Sequence, residues 1–336
     1  MLVHGALVLP LSQGVRAQAP VISEAGLVNR LTRHMDSLAS RGAFSGNVLL
    51  VRGAISVFEK SYGFADRERR LPNSTATVFN IGSINKMFTA TAVRQLEAAG
   101  RIHPDSTISA YWPDYPNAAV ARTVTIRQLL EHRGGLGGDV FGVPATGSRR
   151  DLRTNRDFVA LFAGEPPLFA PGTSRRYSNA GYVVLGNIVE RVSGESYYDY
   201  VRRHVHEPAG LTSTGHLAID SLPPNAAVGY TTRGDTGDST ALHPNTALLP
   251  GRGSSAGGGY STTRDLARFV QALRERKVPG GPPAGIGVAG GTTGVNAVLE
   301  GGLPGGYDLV VMANLDPPAA EAVAQFVRQM LGASGD

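Results

Sequence analysis

The sequence predicts an α+β fold: one antiparallel sheet built from both chain ends and flanked by helices, with a mostly α-helical region inserted between them. Three observations carry this. Apolar runs bounded by glycine-rich turns cluster near residues 46–58 and 295–312, at opposite ends of the 336-residue chain. Helical and loop-like text fills the stretch from about 101 to 254. Amphipathic segments lie just outside the two strand pairs, where they can cover a sheet face.

The elements follow in order. Leu2 to Leu11 is apolar, and Ala17-Gln18-Ala19 offers a small-x-small cleavage site, so residues 1–19 read as a bacterial secretory signal peptide. The mature chain is then expected to be periplasmic or secreted. Residues 25–40 place Leu27, Leu31, Met35 and Leu38 on one helix face. Residues 46–51, an Arg52-Gly53 turn and Ile55-Ser56-Val57-Phe58 form a hairpin pattern. Ile84, Met87, Phe88, Ala92, Leu96 and Ala99 repeat at helical spacing, and Gly100 stops the helix. The better helices of the inserted region are 125–132, 157–163, 180–193 and 197–206. Residues 295–299 and 307–312 read as strands, and Pro317-Pro318 opens a last helix with Val323, Phe326, Val327 and Met330 inward. A sheet domain over 23–100 and 255–333 would thus enclose a helical domain over 101–254.

Composition narrows the function classes. With 42% hydrophobic and 18% charged residues, the chain is globular and can bury an ample core. The net charge of +5 comes mostly from arginines that are scattered, in runs no longer than two and without interleaved aromatics. Nucleic acid is therefore not an expected partner. No stretch reaches 18 apolar residues, so no membrane span is expected. The absence of cysteine excludes thiol catalysis and zinc–thiolate sites. The eight histidines include no His-x-x-x-His or His-Glu-x-x-His pair, so neither a metal nor another cofactor is expected. Oligomeric state is left open.

One of only three lysines, Lys86, follows a serine by three residues in Ser83-Ile84-Asn85-Lys86. Residues three apart share a helix face, and an unprotonated lysine can take the proton of a serine hydroxyl. At a helix start the macrodipole favours negative charge near Ser83 and disfavours a cation on Lys86. Flanking Ile84, Met87 and Phe88 desolvate the amine, so its pKa is expected to be depressed. A second motif, Tyr177-Ser178-Asn179, lies on a turn-rich loop entering a helix. Tyr177 can relay protons, and Asn179 can orient a substrate carbonyl. A third stretch, Gly287-Val288-Ala289-Gly290-Gly291, precedes a strand and can bring a backbone N–H beside that of Ser83. Two such donors make an oxyanion hole.

The chain resembles the serine β-lactamase/penicillin-binding-protein superfamily, in its class C β-lactamase and family VIII carboxylesterase branch, from about residue 46 to 331. The resemblance rests on several stretches taken in order: Phe79-Asn80-Ile81-Gly82-Ser83-Ile84-Asn85-Lys86, residues 125–132, Phe169-Ala170-Pro171-Gly172-Thr173, Tyr177-Ser178-Asn179 and residues 258–267. It implies Ser83 as acylated nucleophile, Lys86 and Tyr177 as base and proton relay, and Asn179 as substrate-orienting. It also implies the Ser83 and Gly291 amides as oxyanion hole, Gly290 beside them, and a site at the junction of the two regions. Substrates would be small esters, β-lactams or peptides.

Two departures shift the expectation. Val288 stands where relatives usually place lysine, histidine or tryptophan, so it cannot pair with the carboxylate of a β-lactam or D-alanyl peptide. Residues 275–287 are also shorter than in relatives. Both favour a carboxylesterase over a D-alanyl-D-alanine carboxypeptidase or β-lactamase, and both leave room for a binding protein without turnover. A rival nucleophile is Ser255, in Gly253-Ser254-Ser255-Ala256-Gly257. A Gly-x-Ser-x-Gly elbow needs a strand before it and a helix after it, and Pro250 and Gly258-Gly259 argue for an irregular loop. His132 is expected to act structurally.

Overall fold

Ser23 accepts a hydrogen bond from Gly26 N–H at 3.2 Å and so starts helix α1 (Glu24–Ser40), which buries Leu27, Leu31 and Met35 at intervals of four. The computed structural model describes residues 22–138, 140, 147–234, 237–281 and 285–332. The expected signal peptide lies outside them. After α1 come strands β1 (Gly46–Arg52) and β2 (Ile55–Tyr62), joined by a tight turn in which Gly53 takes φ +59°. Helix α2 (Lys86–Ala98) follows, then, across the middle of the chain, helix α3 (Asn179–Ser193). Helix α4 (Thr263–Arg274) leads to three strands, β3 (Ile286–Thr292), β4 (Val295–Leu303) and β5 (Tyr307–Ala313). Helix α5 (Ala319–Leu331) closes the described chain.

The sheet is five-stranded and antiparallel, in the order β2-β1-β5-β4-β3. Its centre is the pairing of β1 with β5, Gly46 opposite Ala313 through Arg52 opposite Tyr307. Both chain ends therefore meet in one sheet, as the α+β reading expects. Successive side chains on a strand point to opposite faces, and the two cores follow from that. Val48, Leu50, Leu309 and Val311 face α1 and α5, packing on Leu31, Met35, Val323 and Val327. Leu49, Val310, Met312 and Leu299 face the other way, into a larger core with Phe88 of α2, Val184 of α3 and Phe269 of α4. Helix α2 buries residues around most of its circumference, which suits an element held between the sheet and the helical region.

The middle of the chain departs from expectation in one place. Residues read as helix or loop contain a hairpin, Tyr230–Gly234 paired with Gly237–Pro244. Its glycines and aspartates dilute the period-2 pattern that marks a strand. The helices there are also shorter than read: Ile126–Leu130 and Asn155–Val159, while Tyr197–Val201 widens into a π-turn over Arg202–His206. Among the described residues no helix is long and apolar enough to cross a membrane.

Residues 287–291 form no turn before a strand; they lie inside edge strand β3, which pairs only with β4. This strand backs directly onto the short 3₁₀ turn Gly82–Asn85 that opens α2. A Cβ at position 290 would stand 2.1 Å from Ile81 O and 2.8 Å from Ser83 N, so only glycine allows this approach. Gly290→Ala is expected to cost about 1–3 kcal/mol of stability through this overlap. Urea unfolding checks it: a lower midpoint at unchanged slope is the expected result, and an unchanged midpoint would contradict the close approach.

Candidate active site

Ser83 sits on the 3₁₀ turn immediately before α2, after Gly82 has taken φ +50°. The one-turn spacing to Lys86 brings the Lys86 Nζ within 3.1 Å of Ser83 Oγ. Tyr177, on the loop that Ser178 caps into α3, donates its hydroxyl to the same Ser83 Oγ at 2.7 Å. Asn179, the first residue of α3, accepts from Lys86 Nζ at 2.7 Å through Oδ1. The four side chains thus form one hydrogen-bonded cluster. Gly290 and Gly291 lie against it: a Cβ on Gly82 would be 3.0 Å from Gly291 N, so the β3 backbone touches the turn carrying Ser83.

Lys86 has a third partner that the sequence does not advertise, the carbonyl of Ala256. A neutral amine has two N–H donors and one lone pair. Asn179 Oδ1 and Ala256 O can only accept, so they take the two donors and leave the lone pair to face the Ser83 hydroxyl. Burial acts in the same direction. Lys86 is only 7% exposed, and loss of solvent pulls its pKa from 10.5 down to about 7. The Tyr177 hydroxyl is pushed the other way, above its ordinary value, by burial and only partly offset by its bond to Ser83. At neutral pH the cluster therefore holds an amine able to accept a proton beside a phenol that keeps its own.

Several neighbours fix the geometry. His132 Nδ1 accepts from Ser178 N–H at 3.2 Å, and its ring lies 4.6 Å from that of Tyr177 and 5.1 Å from that of Tyr182. Burial, with Lys86 and Arg175 nearby, brings its pKa to about 4, so it packs as a neutral ring. Asn85 donates to Ser254 O at 3.0 Å, and Thr89 donates to Ser255 O at 2.6 Å. These bonds hold the glycine-rich segment that presents the Ala256 carbonyl. Ser255 itself is fully buried; its Oγ is tied to Asn155 Oδ1 at 2.9 Å and to Tyr182 O at 2.8 Å. Ser254 and Gly257 form only an isolated bridge, with neither the strand nor the helix of an elbow. Asn85, Thr89, Asn155 and Ala256 escape sequence reasoning because each bonds to residues far away in the chain.

Ser83 divides the cleft. One side is a cavity of about 180 Å³ lined by Phe158, Leu217, Ile219, Leu248, Leu249 and Pro250, with Gly82 and Gly291 at its base and Arg149 and Arg252 also on its wall. Lys86 and Tyr177 line the other side. Val288, on β3, borders that second side and packs against the larger core, so the strand itself offers no cation there.

Two consequences are measurable. In the unfolded chain Lys86 returns to its ordinary pKa, so between about pH 7 and 10 the unfolded state binds more protons and stability must rise with pH. Relative to Lys86→Met, the wild type is expected to gain on the order of 1.4 kcal/mol per pH unit across that window. A flat difference in urea titrations would mean the amine stays charged in the fold. Ser255→Ala is expected to lose about 1–2 kcal/mol of stability through its lost bonds. It should still become labelled by a serine-directed acylating probe, and loss of labelling would return Ser255 to candidacy.

Comparison with known proteins shows the family of this chain. A family model described as Beta-lactamase matches residues 28–335. Penicillin-binding protein 4 of Amycolatopsis lactamdurans is 32% identical over 238 residues, covering 70% of this chain and 61% of that protein. The chain spans somewhat over half the length of the curated relatives it matches. Among solved structures, a penicillin-binding protein from Bacillus halodurans is 31% identical with a TM-score of 0.75, covering 87% of this chain and 98% of the other. A D-amino acid amidase from Ochrobactrum anthropi SV3 shares the fold at 22% identity and a TM-score of 0.77, over 91% of this chain and 98% of that one. The chain belongs to the beta-lactamase family.

Proposed function

We propose that this chain is an exported carboxylester hydrolase working through an acyl-enzyme on Ser83. The observation that carries it is the Ser83–Lys86–Tyr177 cluster, with a small cavity of mostly apolar walls on one side and no cation on the strand that borders the other. Export is supported by the apolar run and the Ala17-Gln18-Ala19 site within residues 1–19.

In the forward step Ser83 Oγ attacks the ester carbonyl while its proton passes to the Lys86 lone pair. The oxyanion that forms is held by the Ser83 and Gly291 amides, with Gly290 providing the room. Each such donor is worth roughly 3–4 kcal/mol in the transition state. Collapse breaks the bond to the leaving oxygen, which takes a proton from Tyr177; the tyrosine recovers it from the Lys86 ammonium. Asn179 anchors the amine throughout, and the family resemblance assigns it substrate orientation as well. Water then attacks the acyl-enzyme by the same route in reverse, releasing acid and restoring the Ser83 hydroxyl. The acyl group occupies the cavity walled by Phe158, Leu217 and Leu248. At about 180 Å³ this is below the roughly 300–1,000 Å³ of drug-sized pockets, so short acyl chains fit it. Val288 withholds the charge that a β-lactam or D-alanyl carboxylate would need close to the reacting carbonyl.

Ser83→Ala is expected to reduce p-nitrophenyl butyrate hydrolysis to background, and Lys86→Ala or Tyr177→Phe to lower kcat about 10²–10⁴-fold. Wild-type log kcat/KM should rise with unit slope below about pH 7 and level off above it, as Lys86 loses its proton. Intact mass spectrometry should find the butyryl adduct on the peptide containing Ser83, appearing and then clearing within the assay. An adduct that never clears would mark a binding protein instead, and full activity in Ser83→Ala would end the proposal.

A further inference from the structure

Two arginines outside the reacting cluster line the Tyr177 side of the cleft. That side, about 400 Å³, follows α2 from Ser83 past Met87 and Ala90 to Arg94, with Arg175 on the loop before Tyr177. Positions 83, 87, 90 and 94 fall on one helix face. Ile286 and Val288 of β3 line the cleft as well. Among the described residues no aspartate or glutamate lines this space, and neither arginine has an ion-pair or hydrogen-bond partner. Two guanidinium groups without a counter-charge, in a cleft with apolar walls, focus a positive potential on whatever enters. Their planar forks match a carboxylate.

We propose that Arg94 and Arg175 form an anion subsite for the leaving group, so that the preferred ester releases an alcohol carrying a terminal carboxylate. Tyr177, the proton donor proposed above, lies on this side of Ser83, and on that role rests the assignment of this side to the leaving group. The cavity on the other side holds neither Tyr177 nor Lys86 and takes the acyl group; of the two arginines on its lining, Arg149 and Arg252, the latter is bonded to the His216 carbonyl at 2.7 Å. From Lys86 to Arg94 is eight residues, roughly 12 Å of helix. Arginine leans back toward the helix N-terminus, which shortens that span and places the anion roughly 6–10 Å from the reacting carbonyl. A carboxylate directly beside the scissile bond falls short of this distance. The leaving group is therefore elongated, with an apolar midsection against Met87, Ala90 and Val288.

The test compares butyryl esters of 3-(4-hydroxyphenyl)propanoate and of its methyl ester, which differ only in the terminal charge. The wild type is expected to favour the anionic ester at least 10-fold in kcat/KM at low salt, with the preference falling as salt rises. In Arg94→Gln/Arg175→Gln the ratio should drop to within twofold of unity, and Arg94→Lys alone should keep part of it. A wild-type ratio near one, or a ratio unchanged in the double variant, overturns the subsite. Calorimetric titration of Ser83→Ala with 3-(4-hydroxyphenyl)propanoate reads the same site without turnover. Binding weakened at least 10-fold by the two arginine substitutions supports it, and binding that is absent or unaffected overturns it. If neither ester is cleaved, the hydrolase reading fails by itself and the titration still decides the subsite.

Discussion

A primary amine stripped of water and pinned by three separate segments is the constraint on which the rest of this structure depends. Lys86 sits in the first turn of a buried helix, and its two pure acceptors come from 93 and 170 residues further along the chain. Those acceptors decide where the lone pair points, and burial decides that there is a lone pair at neutral pH. Neither effect would suffice alone. A desolvated amine without oriented partners would be neutral but aimless, and an oriented amine in water would be a cation. The cost is borne by folding, since the unfolded chain holds that proton far more easily.

The surrounding architecture reads as the means of keeping this arrangement rigid. Helix α2 is packed between sheet and helical region, with Phe88 against Phe269 on one side and Thr89 bonded to the Ser255 carbonyl on another. The glycine-rich segment 251–259 has few side chains of its own to hold it. It is instead clamped by Asn85, Thr89 and Asn155 through its backbone and through Ser255. Glycine at 82 and 290 then lets an edge strand come close enough to share the Ser83 turn.

Much of the fold is legible in the sequence because the strands that matter are central ones. Residues of β1 and β5 are buried on both faces and read as continuous apolar runs, and α1 and α5 announce themselves by a clean stripe. Edge strand β3 is less legible: Gly-Val-Ala-Gly-Gly has almost no side chains from which a period could be read, so it resembles a turn. Of the site, Ser83 and Lys86 are readable because their relation is local, three residues on one helix. Tyr177 and Asn179 become readable only through family resemblance, since a loop motif says nothing of where the loop goes. The Ala256 carbonyl is beyond any such reading, because every residue has one and only the fold selects it.

The position of Tyr177 carries a further consequence for polarity across the cleft. Ser83 is shared by two spaces, one walled by Leu217, Leu248 and Phe158 with Arg149 and Arg252 also on its lining, the other holding Tyr177 with Arg94 and Arg175. A nucleophile alone does not say which half of a substrate enters which space. The tyrosine does, because a leaving oxygen must reach its hydroxyl to depart as an alcohol. An ester bound the other way round would direct its leaving oxygen into the space that lacks Tyr177. Under the proposed subsite, productive binding is tied to one orientation, and charge recognition moves from the strand, where Val288 stands, to Arg94 on the helix that carries the base and Arg175 on the loop before Tyr177.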